Sequence, residues 1–241
     1  MGHPGQVSTR GEYVRQTAIA IVSAVIALAP ATAMAETPRQ FLTAAAFEAP
    51  NKARALALVG QAIGAADRIL ATDPGDREAM LQRAVAIGYR GKLTGSGKDV
   101  RASLPVFERL VAQNPRDAEA QIVLAGWHLG AVDELGGFLA RTALGARSQV
   151  GETALARAVA LGGNRAFYPG IAAMLQIRRD PKDLTVARKW AEMAAAAPTP
   201  TSLDALVKRS VMALLPALRA NDAKKAADLA HQFLPFGRLP H

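Results

Sequence analysis

Apolar residues recur at steps of three and four along most of the chain. Leu56, Val59, Ile63, Ala66 and Leu70 form one stripe; Leu203, Leu206, Val207, Val211, Leu214 and Leu218 form another. That period puts each set on one face of a helix. No stretch alternates with period two under β-branched residues, so the expected fold class is all-α. Thr37-Pro38 predicts a short helix to about Glu48, and Pro50 starts the next. Asp76 caps a third helix carrying Met80, Leu81, Ala84 and Ile87, which closes near Tyr89. Leu104, Phe107, Leu110 and Val111 mark a fourth, and Asp117 caps a fifth that continues, broken at Gly136-Gly137, to Leu144. Further helices are predicted over 153–161, 169–178, 184–197, 203–218 and 223–234. Residues 91–98, with three glycines, read as a flexible inner loop, and residues 235–241 as a flexible tail.

Two of these helix junctions share one pattern. Asp67-Arg-Ile-Leu-Ala-Thr-Asp-Pro-Gly-Asp-Arg-Glu-Ala79 aligns with Glu108-Arg-Leu-Val-Ala-Gln-Asn-Pro-Arg-Asp-Ala-Glu-Ala120. Each has an apolar helix end, Asp/Asn-Pro, an acidic N-cap, then Glu-Ala opening a new helix. Pro74 and Pro115 stand 41 positions apart. The tetratricopeptide repeat runs about 34 residues, and the excess matches the Gly-rich segment. Such a unit buries its apolar face only by stacking on neighbours, which predicts a tetratricopeptide-like helical-hairpin solenoid over 36–234.

The first residues carry a different signal. Arg10 and Arg15, offset by Glu12, precede an uncharged apolar run over 17–29, and Ala33-Met34-Ala35 forms an A-x-A cleavage site. The run is 13 residues, short of the about 20 needed to span a bilayer. Residues 1–35 are therefore expected to be a cleaved signal peptide of the general secretory type, which places the mature chain in the periplasm. No Cys follows the run, so a lipoprotein anchor is not expected. The whole sequence contains no Cys, and stability rests on packing. Lys and Arg exceed Asp and Glu by nine. In an exported protein that excess suits an anionic membrane surface, a cell-wall polymer or an acidic protein better than nucleic acid.

The middle block is more particular. Leu124-Ala-Gly-Trp-His-Leu-Gly130, Leu135-Gly-Gly-Phe-Leu-Ala-Arg141, Leu144-Gly-Ala and Ala154-Leu-Ala-Arg-Ala-Val-Ala-Leu161 follow in that order. The block resembles the regulator of microtubule dynamics family and its bacterial exported relatives, over about 69–218. Gly126 precedes Trp127 where that family often has Arg, so no role of the Arg is carried over. The resemblance implies an all-helical repeat fold used for protein interaction, with no catalytic residues to transfer.

Few residues suggest chemistry. The segment 92–99 differs from a phosphate-binding loop at Lys92 and Asp99, and no strand precedes it. Metal binding fails on the count of His and Cys, and no nucleophile motif occurs. Neither a cofactor nor an enzymatic activity is expected. Trp127, His128, Asp133 and Glu134 group an aromatic ring, an imidazole and two carboxylates. With Tyr89 they form the candidate ligand or partner site, although Trp127 also suits a core anchor. Phe233 and Phe236 fit the last apolar face. The expected function is a periplasmic scaffold or adaptor binding a protein or peptide partner in the envelope. A small-molecule-binding accessory protein of a solute transporter is the alternative.

Overall fold

The computed structural model describes residues 1–2 and 36–239. The expected leader, beyond Met1 and Gly2, lies outside the described residues. Glu36–His241 forms one compact unit. Among the described residues there are helices and no strand. In chain order they are α1 (Pro38–Phe47), α2 (Lys52–Thr72), α3 (Arg77–Thr94), α4 (Gly97–Gln113), α5 (Ala118–Leu135), α6 (Gly137–Leu139), α7 (Ser148–Leu161), α8 (Phe167–Arg179), α9 (Thr185–Ala196), α10 (Ser202–Arg219) and α11 (Ala223–Phe233). A π-helical turn, Ala140–Leu144, follows α6.

The caps explain most boundaries. Thr37 and Gln40 close a capping box on α1. Asp76 accepts from the Ala79 N–H at 2.7 Å, and Asp117 from those of Glu119 and Ala120 at 3.0 Å. The Asx-Pro junction occurs three times with one geometry. Asp73, Asn114 and Asp180 all have φ between −132° and −141° and ψ between 84° and 90°. Each accepts a hydrogen bond at its side-chain oxygen from the N–H two residues on (Gly75, Arg116, Lys182), at 3.0–3.2 Å.

The expected inner loop over 91–98 is mostly helix. Helix α3 runs through Thr94, leaving Gly95 (φ 72°) and Ser96 as the whole connection before α4. A Cβ on Gly91 would stand 2.7 Å from the Val100 backbone nitrogen. That glycine serves the close approach of α3 and α4, not flexibility. Helix α7 also starts five residues earlier than the expected 153.

Each helix packs on its neighbours, and the helices α1, α3, α5, α8 and α10 also touch in succession. Helix α2 is long and apolar enough to cross a membrane, yet it packs between α1 and α3. The largest core runs from Leu81 to Phe233 and joins α3, α4, α5 and α7 through α11; a second gathers α1, α2 and part of α3 around Val59 and Ala62. Two contacts depart from neighbour-only stacking. Helix α11 folds back onto α8, and the residues after it reach α1. Residues 235–239 of the expected flexible tail are a docked turn instead. The Phe236 N–H donates to the Ala46 carbonyl at 2.8 Å, and the Phe236 ring is buried.

Candidate functional site

Two sets of charges tie helix starts together, one across α1, α3 and α5 and the other between α8 and α10. The Arg39 guanidinium on α1 donates to Glu78 on α3 at 2.6 Å and to Glu119 on α5 at 2.5 Å. Arg77 donates to Asp117 through Nε at 2.8 Å and reaches Glu119 at 3.4 Å, and Gln82 also donates to Glu119. Glu78 and Glu119 occupy matching positions of the two aligned junctions, so one repeat residue supplies both carboxylates to Arg39. Partial burial works against the Arg39 charge, but Glu119 and Glu78 outweigh it and hold its pKa above the ordinary value. Further along, Asp204 at the start of α10 is wholly buried. It accepts from Arg165 at 2.9 Å, from the Thr201 hydroxyl at 2.6 Å and from the Phe167 N–H at 3.0 Å. Burial pushes the Asp204 carboxyl up, yet these donors together leave it below its usual range.

At the opposite ends of the same helices lie the sequence candidates. Glu134 on α5 pairs with Lys92 on α3 at 2.8 Å, and Asp133 with Arg178 on α8 at 2.9 Å. Partial burial raises the Glu134 carboxyl, while Lys92, His231 and Arg178 outweigh it and lower its pKa. Both carboxylates thus act as ties between helices. Tyr89, one turn before Lys92, faces the tail: its ring meets Phe236 edge-on. Burial raises the Tyr89 hydroxyl above its ordinary pKa.

Trp127 and His128 look elsewhere. The Trp127 indole N–H donates to the Val100 backbone carbonyl on α4 at 3.0 Å, and the ring packs between two cores. His128 is fully buried beside α7, where its Nδ1 accepts from the Arg147 N–H at 3.3 Å. The proton of the neutral ring therefore sits on Nε2, which has no partner. Burial, aided by Arg147, lowers the His128 pKa to about 4. The five candidates accordingly divide into three places: Trp127 with His128 inside the packing, Asp133 with Glu134 across helix ends, and Tyr89 against the tail. Among the described residues no group of three or more His, Cys, Asp or Glu could hold a metal ion.

Two cavities adjoin the tail. One, of about 380 Å³, lies between Phe47–Pro50 of the α1–α2 connection and Phe236, Arg238 and Leu239. The other is a small crevice between α1, α10 and α11, lined by Phe47, Leu206 and Phe233. Neither touches Trp127 or His128. Comparison with protein-family models, curated proteins and solved structures finds no match to this chain.

The charge rail at the first turns and the docked tail were not singled out from sequence. The rail had one legible signal, the Glu two positions after the N-cap in both aligned junctions. Arg39 lies outside that repeat, and nothing local to it points 80 positions downstream. The tail offered only a short apolar signal, Phe233 and Leu234 followed by Phe236 and Leu239.

Proposed function

We propose that the helices form a tetratricopeptide-like solenoid in which α1, α3, α5, α8 and α10 make the inner layer, and that this layer docks a peptide segment of a protein partner in the cell envelope. One observation carries the reading. The inner layer already holds a non-helical peptide, the chain's own residues 234–239. It does so with a main-chain hydrogen bond to Ala46 on α1 and an aromatic side chain buried against Tyr89 on α3. These are the elements by which a groove captures a peptide: backbone pairing for affinity and a side-chain pocket for selection. The half-exposed Arg39, Arg77 and Glu78 extend that face with charges able to exchange partners. In this reading residues 1–35 deliver the chain to the periplasm, and the protein is a scaffold or adaptor, not an enzyme. The transporter-accessory alternative is less favoured, because the 380 Å³ cleft is open beside the tail and encloses no separate chamber.

A photo-crosslinking amino acid at Tyr89, in chains carrying residues 1–35, tests this. A discrete adduct with one envelope protein is expected, rising when Phe236→Asp releases the tail. No adduct in either chain would count against peptide docking here.

A further inference from the structure

The segment joining α5 to α7 holds apolar side chains out in solvent on a firmly anchored turn. Phe138 is 79% exposed, Leu139 56% and Leu135 42%. The residues under them are fixed. Ala140 and Ala146 are buried with Ala131, beside Trp127 and Leu144, and the Ala146 N–H donates to the Ala140 carbonyl at 3.0 Å. Left-handed glycines bracket the turn, Gly136 at φ 75° and Gly145 at φ 77°, and Arg101 clamps the Ala143 carbonyl at 3.1 Å. Exposure of a Phe and two Leu on a segment held this way marks an interaction surface.

The charge around this crest selects the partner. Residues 135–151 contain Arg141 and Arg147 and no acidic residue. The two carboxylates just before it, Asp133 and Glu134, are already matched by Arg178 and Lys92. Arg101, Arg141 and Arg147 are exposed and make no ion pair among the described residues. Apolar tips ringed by unmatched arginines suit the headgroup region of an anionic bilayer, where rings and alkyl chains enter the acyl boundary and cations meet phosphates. A second copy fits less well, since a symmetric contact through the crest would bring two sets of arginines together with no carboxylate in residues 135–151 to meet them. We infer that the crest Leu135–Gly136–Gly137–Phe138–Leu139 with Arg101, Arg141 and Arg147 is a membrane-surface docking site for anionic phospholipid. It shares none of the tail contacts at Ala46, Tyr89 and Phe236 on which the proposed peptide docking rests.

Co-sedimentation with phosphatidylglycerol-containing and purely phosphatidylcholine vesicles tests the inference. The chain beginning at Glu36 serves, because the compact unit and all three cores lie within it. Binding to the anionic vesicles only is expected, weakening steeply with salt. Phe138→Ser with Leu139→Ser should lower it at least tenfold without changing the melting temperature, and Arg141→Gln should lower it about fivefold. A Phe138→Trp reporter should shift its emission to the blue on vesicle addition. Undiminished binding by the double serine variant, no binding to either vesicle, or crest-dependent dimerisation in sedimentation would each overturn the assignment; the last would make the crest a protein interface.

Discussion

The ring of Phe236 meets that of Tyr89 edge-on with centroids 4.8 Å apart, which brings the end of the chain onto the third helix. The contact holds a backbone that resists it: Phe236 has φ 68°, a region where a bulky residue costs roughly 1–2 kcal/mol. Burial of the ring, at about 1.5–3 kcal/mol, offsets that strain. Beside it, a Cβ on Gly237 would fall 1.8 Å from the His231 carbonyl oxygen, so the turn admits glycine alone.

Gly237→Ala should therefore undock residues 235–239 while leaving the helices intact. Hydrogen exchange at the Phe236 amide should accelerate by at least tenfold, and proteolysis near Arg238 should increase. Unchanged exchange would show that the tail is held by other contacts.

Acid titration should reveal His128 first. Its folded pKa, about 4, lies below the roughly 6.5 of an unfolded histidine, so the unfolded chain binds the extra proton between those values. Stability is then full above about pH 6.5 and falls toward pH 4 with a limiting slope of about 1.4 kcal/mol per pH unit. His128→Asn keeps an acceptor for the Arg147 N–H and removes the titration. Its melting temperature should be flatter across this window than that of the parent chain.

Below that window Asp204 takes over. Its folded carboxyl titrates below the ordinary value, so its contribution is present above roughly pH 3.9 and is lost as pH falls through the folded pKa. Asp204→Asn removes the charge-assisted bonds to Arg165 and should lower stability by about 2–3 kcal/mol at neutral pH. A melting temperature within a degree of the parent would exclude that role.

Helices α8 and α10 cross at Gly170, where a Cβ would lie 2.3 Å from Val207 Cγ1. Gly170→Ala should cost about 1–3 kcal/mol by overpacking. Val207→Ala makes room for the added methyl, and the double variant should recover at least about 1 kcal/mol relative to additivity in denaturant melts.

Local signals carried the all-helical fold and many helix boundaries, because caps and Asx-Pro turns are written in adjacent residues. Asp76, Asp117 and Asp222 each cap the helix that follows. The third Asx-Pro turn, at Asp180, carries the same local signature. Glycine misled where its role is long-range. Gly91 reads as a loop residue, yet it is a contact point between two helices that only the packed structure reveals. The candidate cluster at Trp127 suffered the same limit, since neighbours in sequence point to different helices. Trp127 turns to α4, His128 to α7 and Glu134 to α3.

The bond between the Phe236 N–H and the Ala46 carbonyl joins positions 190 apart. A linear array of repeats can fray from either extremity, one unit at a time. Here the two extremities share a fastening, so melting of α1 releases the C-terminal turn and loss of that turn bares α1. Forming that fastening closes a loop of 190 positions, the kind of contact whose entropy is repaid only once both ends are folded.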